Sequence, residues 1–234
     1  MTQYQAVKLT IEKLGGMATL SQINSKIFEI NDCKWNTKTP FASIRRIVQT
    51  DADIVKIRPG LYALKGIKNI ECSSENTEFT HSYFQGLLCE IGQIRGFDTT
   101  VPPQDKNHLF INTPLKSVAS LAQIPSFSYE HLVRRAATID VSWFNKNLMP
   151  AALFEVEHST DISNSLLKFN DLQDFYTRMF IIADEARHGE FDKKLKFSAF
   201  KTLLQNKRVQ FLSYKSLAKQ HEMIVASAKF DVIL

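Results

Sequence analysis

Ile139-Asp140-Val141-Ser142-Trp143-Phe144 and, after a break of six residues, Ala151-Ala152-Leu153-Phe154-Glu155-Val156-Glu157 are the stretches whose reading decides the fold. Both are short, apolar and rich in β-branched and aromatic residues, the composition of strands. The break, Asn145 to Pro150, carries turn-forming Asn and Pro, so the simplest reading is an antiparallel hairpin. Side chains alternate along a strand, which puts Glu155 and Glu157 on one face, about 6.5–7 Å apart. Ala152, Phe154 and Val156 then take the other face and pack inward. On pattern alone, Asp140 is equally a strand-end cap, and Glu155 and Glu157 equally the solvated face of an edge strand. If the acids are buried instead, each costs several kcal/mol unless something cationic accompanies it, and such a cluster is built to hold a cation.

Asp140 followed fifteen positions later by Glu155-x-Glu157 on a hairpin resembles the metal site of the PD-(D/E)XK nuclease superfamily, which includes many type II restriction endonucleases. The usual family motif ends in Lys where this chain has Glu157, a variant that some of these endonucleases share. The resemblance implies that Asp140 and Glu155 hold Mg²⁺ and that Glu157 positions or deprotonates the attacking water. It also implies that Glu90, on the first helix of the domain, is an accessory acid. With Glu157 in the lysine slot no fixed cation remains in the motif, so Lys146, Arg134 and Arg135 are the candidates to supply one. The implied activity is sequence-specific, Mg²⁺-dependent hydrolysis of double-stranded DNA by a homodimer, since cutting both strands calls for two sites.

The order of elements around the hairpin agrees with that resemblance. Thr80 to Ile94 reads as a helix, with Tyr83, Leu87, Leu88, Ile91 and Ile94 on its apolar side and Gly96 past its end. Ile162 to Leu172 reads as a second helix with Asp161 at its N-cap. Met179 to Asp184 is a buried strand, Phe191 to Leu204 a basic amphipathic helix, Val209 to Tyr214 a strand, and Ser216 to Val225 a closing helix. The expected class is α/β, with a mixed central sheet flanked by helices.

The amino end carries a different pattern. Tyr4 to Leu14 is a helix stopped by Gly15-Gly16, and Thr19 or Ser21 opens a second helix, Gln22 to Ile30. Pro40 sits in the first turn of a third helix that runs to Thr50. Ile54 to Ile57, Arg58-Pro59-Gly60 and Leu61 to Leu64 form a short hairpin. Three helices and a hairpin make the winged helix-turn-helix pattern, and the run Thr39-Pro40, Ser43 to Arg46 and Arg58 to Leu64 resembles HARE-type winged-helix domains. The expected domains are therefore residues 1–66, a polar linker over 67–78, and a nuclease-like body over 79–234.

Charge separates these regions. Residues 1–66 hold ten Lys or Arg against five acids, a net +5 that equals the net charge of all 234 residues. A basic module beside a neutral body suits DNA docking. Lys34, Lys38, Ser43, Arg45, Arg46 and Arg58 lie on the third helix, the loop before it and the wing. They are the expected DNA contacts, made to phosphates or, for Arg45 or Arg46, to guanine.

Other chemistries lack a signature. There is no H-E-x-x-H, no Gly-rich phosphate loop and no G-x-S-x-G. The six histidines are isolated, with His158 directly after Glu157. Cys33, Cys72 and Cys89 form no C-x-x-C, which reads as reduced thiols in a cytoplasmic protein without structural zinc. No run of eighteen apolar residues suggests a membrane span, and the start MTQYQ does not read as a signal peptide. Two rivals share the motifs: a non-catalytic winged-helix DNA-binding regulator, and a nuclease directed by DNA structure or modification.

Overall fold

A computed structural model describes residues 1–66 and 81–228. The linker expected over 67–78, and Thr80 at the head of the expected helix, lie outside the described residues. The chain divides into two compact units, Met1–Glu78 with Ala218–Leu234, and Phe79–Leu217.

In the first unit, α1 (Gln3–Lys13) starts at a capping box in which Thr2 and Gln5 satisfy each other's backbone N–H groups. β1 (Met17–Thr19) follows, too short to give a period in the sequence. Thr19 then caps α2 (Leu20–Lys26) reciprocally with Gln22. The second helix thus starts two residues before its expected first residue, Gln22, and tightens into one 3₁₀ turn over Ile27–Glu29. α3 (Pro40–Thr50) opens with Pro40, whose fixed φ suits a first turn and whose missing N–H costs nothing there. Ile44, Ile47 and Val48 bury its apolar side, leaving Ala42, Arg45, Arg46 and Gln49 exposed at helical spacing. β2 (Ile54–Arg58) and β3 (Leu61–Leu64) pair antiparallel, and β1 adds to β3 in the sheet order β1-β3-β2. The turn between them needs Gly60, which adopts φ +73°, a left-handed conformation that costs an L side chain strain.

The second unit is a mixed α/β layer structure. It runs α4 (His81–Ile94), β4 (Asp98–Thr100), a small hairpin of β5 (Leu109–Phe110) and β6 (Thr113–Pro114), α5 (Glu130–Ala136), β7 (Val141–Phe144) and β8 (Pro150–Glu157). It continues through α6 (Ile162–Asp171), β9 (Arg178–Ala183), α7 (His188–Leu195), α8 (Lys201–Gln205), β10 (Val209–Ser213) and the start of α9 (Tyr214–Ser227). The five-stranded sheet has the order β10-β9-β8-β7-β4. β7 pairs antiparallel with both β4 and β8, whereas β8, β9 and β10 are parallel.

The hairpin is therefore real, and β8 lies at the centre of the sheet rather than at an edge. Seven of its eight residues are buried, so both faces are covered. On one side the Trp143 indole donates to the Leu88 carbonyl of α4 at 3.1 Å, and its ring lies 4.6 Å from that of Phe154. On the other, Leu153 joins Ile162, Leu166 and Phe169 of α6, with Met179 and Ile181 of β9, in one apolar cluster. The single helix expected over Phe191 to Leu204 is broken. α7 ends at Leu195, Phe197 is extended at φ −63° and ψ 144°, and a 3₁₀ turn over Ser198–Phe200 leads into α8. The break lets Phe191, Leu195, Phe200 and Leu203 all reach the core while Phe197 stays exposed, an outcome that one straight helix does not offer.

α4 approaches its neighbours closely enough to exclude a methyl group at Gly86. A Cβ there would stand 2.2 Å from ring carbons of Phe110, itself fully buried. Gly86→Ala should lower stability by about 1–3 kcal/mol through overpacking. Urea unfolding checks this, and a wild-type midpoint in the variant would show the contact to be slack.

Candidate active site

The three acids of the motif converge where the hairpin strands meet the helices, and they are buried: Asp140 is 9% exposed, Glu155 2% and Glu157 4%. The solvated-edge reading is thereby excluded. Asp140 occupies the bend just before β7, and its Oδ2 accepts the Val156 N–H at 2.7 Å, tying the bend to β8. His81 Nε2, at the head of α4, lies 3.2 Å from the same oxygen. Gln85, one turn along, donates from Nε2 to the Asp140 carbonyl at 3.1 Å and to Asp105 Oδ2 at 2.8 Å. His81, Asp105 and Asp140 each place one potential ligand atom within 4.8 Å of the others.

Glu155 and Glu157 share a face, as alternation requires, and both lie within hydrogen-bond reach of the Ser165 hydroxyl of α6, which has one proton to share between them. Thr160 also donates to Glu157, whose backbone carbonyl accepts the Tyr214 hydroxyl at 2.9 Å. Lys168, one turn beyond Ser165, reaches both Glu155 oxygens at 3.0 and 2.8 Å and the Thr138 carbonyl at 3.0 Å. The fixed cation expected to be missing is thus supplied from α6. Lys146, Arg134 and Arg135 do not supply it: Lys146 is exposed, Arg134 pairs with Glu130, and Arg135 pairs with Asp171 at 2.6 Å.

Electrostatics follow from this packing. Burial first, and then the Asp140 charge, push the Glu155 carboxyl up to about 8, against the downward pull of Lys168 and Ser165. Burial opposes protonation of His81, but the carboxylate of Asp140, with Asp105 and Glu157 behind it, outweighs that and raises its pKa. Asp105, Asp140 and Glu157, with a Glu155 carboxyl whose raised pKa keeps it largely protonated at neutral pH, thus face the Lys168 ammonium and the His81 imidazole. This surplus of buried negative charge is what a divalent cation would neutralise, and oxygen donors of this kind suit Mg²⁺.

Glu90 is buried but is not brought to these acids. It lies nine residues beyond His81 on α4, about 13 Å along the axis and on the opposite side. The stretch of α4 around it adjoins Trp143 and Thr99, with Leu88 and Gly92 in contact. His158 does adjoin the site, its ring 6.0 Å from Phe84 and 5.1 Å from Tyr214. His81, Gln85, Asp105, Ser165 and Lys168 escaped sequence reading. For Ser165 a signal existed, since it is a polar residue at helical spacing within the apolar set Ile162, Leu166 and Phe169; Lys168 had none. His81 and Asp105 reach Asp140 only through tertiary folding and had none.

In the amino-terminal unit, Lys34, Lys38, Arg45 and Arg46 are exposed, and Ser43 and Arg58 are partly so. None of those four exposed cations forms an ion pair among the described residues.

Residues 65–233 match the family of the type II restriction enzyme NmeDI C-terminal domain, and the chain belongs to that family. The chain is similar to the type II restriction enzyme NmeDI of Neisseria meningitidis serogroup C, 28% identical over 156 residues, a match spanning 62% of this chain and 43% of that protein. The chain thus aligns with less than half the length of this curated relative. No solved structure matches it. Among the described residues no helix is long and apolar enough to cross a membrane.

A carboxyl whose pKa rises from 4.5 to about 8 on folding holds a proton that the unfolded chain has already lost. Metal-free protein should therefore lose stability as pH rises from about 5 to 8, by up to about 1.4 kcal/mol per pH unit. Glu155→Gln should flatten that slope. Thermal melts with a chelator across this range test it, and an unchanged slope in the variant would remove Glu155 as the cause.

Proposed function

We propose that the chain is a type II restriction endonuclease that hydrolyses phosphodiester bonds of double-stranded DNA at a specific sequence with Mg²⁺. The observation that carries this reading is the buried cluster of Asp140, Glu155 and Glu157 at the centre of a mixed sheet, in a chain of a restriction-enzyme family. The PD-(D/E)XK pattern supports the assignment of roles. Asp140 and Glu155 hold the ion. When bound, Mg²⁺ would neutralise charge on the scissile phosphate and favour a hydroxide nucleophile.

The remaining chemistry belongs to the side chains. Glu157, its carboxylate oriented by Ser165 and Thr160, accepts a proton from the attacking water. Lys168 stands where its charge can pass from Glu155 to a phosphate oxygen, a role for a fixed cation in a water-poor site. Glu90, set apart from the acids, takes no part. Residues 1–66 act as a winged helix-turn-helix domain that docks on DNA, with α3 toward the major groove and Lys34, Lys38, Ser43, Arg45, Arg46 and Arg58 as its contacts. Residues 67–78 link it to the nuclease body, 79–234. The working unit is a homodimer in the cytoplasm, cutting one strand with each site.

Plasmid DNA incubated with the full chain and Mg²⁺ should give discrete fragments, absent with chelator and absent for Asp140→Ala and Glu155→Ala. Lys168→Ala should slow cleavage by about 10²–10³-fold. Undiminished cleavage by the acid variants would contradict the assignment, and binding without cleavage of any DNA substrate would leave a DNA-binding regulator.

A further inference from the structure

The Asp140 bend has a second set of neighbours that the roles above do not use. His81 begins α4, Asp105 follows β4 in a loop, and Asp140 precedes β7, so three separate segments bring one ligand atom each within 4.8 Å of the others. We propose that His81, Asp105 and Asp140 form a second divalent-cation site, one whose imidazole donor favours a transition ion such as Mn²⁺ over Mg²⁺. The inference deepens the nuclease reading, on which its catalytic meaning rests, by adding an ion that shares Asp140.

Three observations support it. First, His81 Nε2 and Asp140 Oδ2 are 3.2 Å apart, close to the separation of about 3 Å expected for neighbouring ligands at right angles around an ion bound at about 2.1–2.2 Å. Second, that Nε2 is shut off from solvent and its one polar contact, Asp140 Oδ2, is not aligned as a regular hydrogen bond, so a bound cation would be its better partner. Third, the outer groups are built. Gln85 is fully buried, and its Nε2 fixes both Asp105 Oδ2 and the Asp140 carbonyl, the support that ligating carboxylates commonly receive. Its Oε1 is buried without a partner, so the same amide leaves an oxygen beside the cluster. A deprotonated (neutral) imidazole and two carboxylates make a donor set of borderline softness, better matched to a first-row transition ion, with Mn²⁺ as the paramagnetic probe, than to Mg²⁺.

The test is a Mn²⁺ titration of the full chain followed by electron paramagnetic resonance. Wild-type protein should bind more than one ion per chain, one of them showing nitrogen coupling from an imidazole. His81→Asn and Asp105→Asn should each weaken that ion at least tenfold, and His81→Asn should abolish the coupling. Glu155→Gln should keep the coupled ion and lose the other. Mn²⁺ bound without nitrogen coupling in the wild type would overturn the inference and leave the nuclease reading untouched. Absence of cleavage of any DNA by the wild type, with the coupled ion still bound, would sink the nuclease reading and leave the ion site standing.

Discussion

The constraint on which the rest of this structure depends is the burial of carboxylates that its own cations do not fully balance. Asp140, Glu155 and Glu157 are each less than a tenth exposed, with the Lys168 ammonium and the His81 imidazole beside them. Removing such groups from water costs several kcal/mol apiece unless geometry and hydrogen bonds compensate. The chain offsets part of that cost with donors from four places: the Val156 N–H, the Ser165 and Thr160 hydroxyls, and the Lys168 ammonium. A raised Glu155 pKa is what remains after that compensation. For the cation site proposed here such a deficit matters, because an ion would then replace a proton instead of adding to a site already neutral.

The sheet creates this situation. β8 has neighbours on both sides, antiparallel β7 and parallel β9, with α4 over one face and α6 over the other. On a strand so placed, no residue has a solvated side to turn to. The alternation that puts Phe154 and Val156 against one layer necessarily aims Glu155 and Glu157 at the other, where Ser165 and Lys168 of α6 meet them. α4 performs the matching service for Asp140: its first turn brings His81 and Gln85 to the bend, and farther along it is fixed by the Trp143–Leu88 hydrogen bond.

Local pattern made much of this legible. The hairpin, the N-cap Asp161, Pro40 at the start of α3 and most helices are dictated by neighbours within a few residues, and they appear where propensity and capping chemistry put them. Strand alternation, a short-range fact, puts Glu155 and Glu157 on one face, and the resemblance to the PD-(D/E)XK motif adds Asp140. What failed was long-range. Lys168 reaches the acids because α6 packs back on the strand it follows, and no spacing rule links residue 168 to residue 155. His81 and Asp105 looked ordinary for the same reason. The helix expected from Phe191 to Leu204 failed differently, since its apolar spacing was nearly helical but the core needed a bend at Phe197. Glu90 shows the converse error: residence on the right helix does not bring a side chain to the site when it stands on the wrong turn.

The central claim is that the buried acids are kept short of positive charge so that a divalent ion can take the place of a proton. Calorimetric titration of the metal-free chain with Mg²⁺ near pH 7, in two buffers of different ionisation heat, measures that exchange directly. The account predicts net proton release on binding, lost in Glu155→Gln. Binding with no proton release, or the same release from the variant, would contradict it.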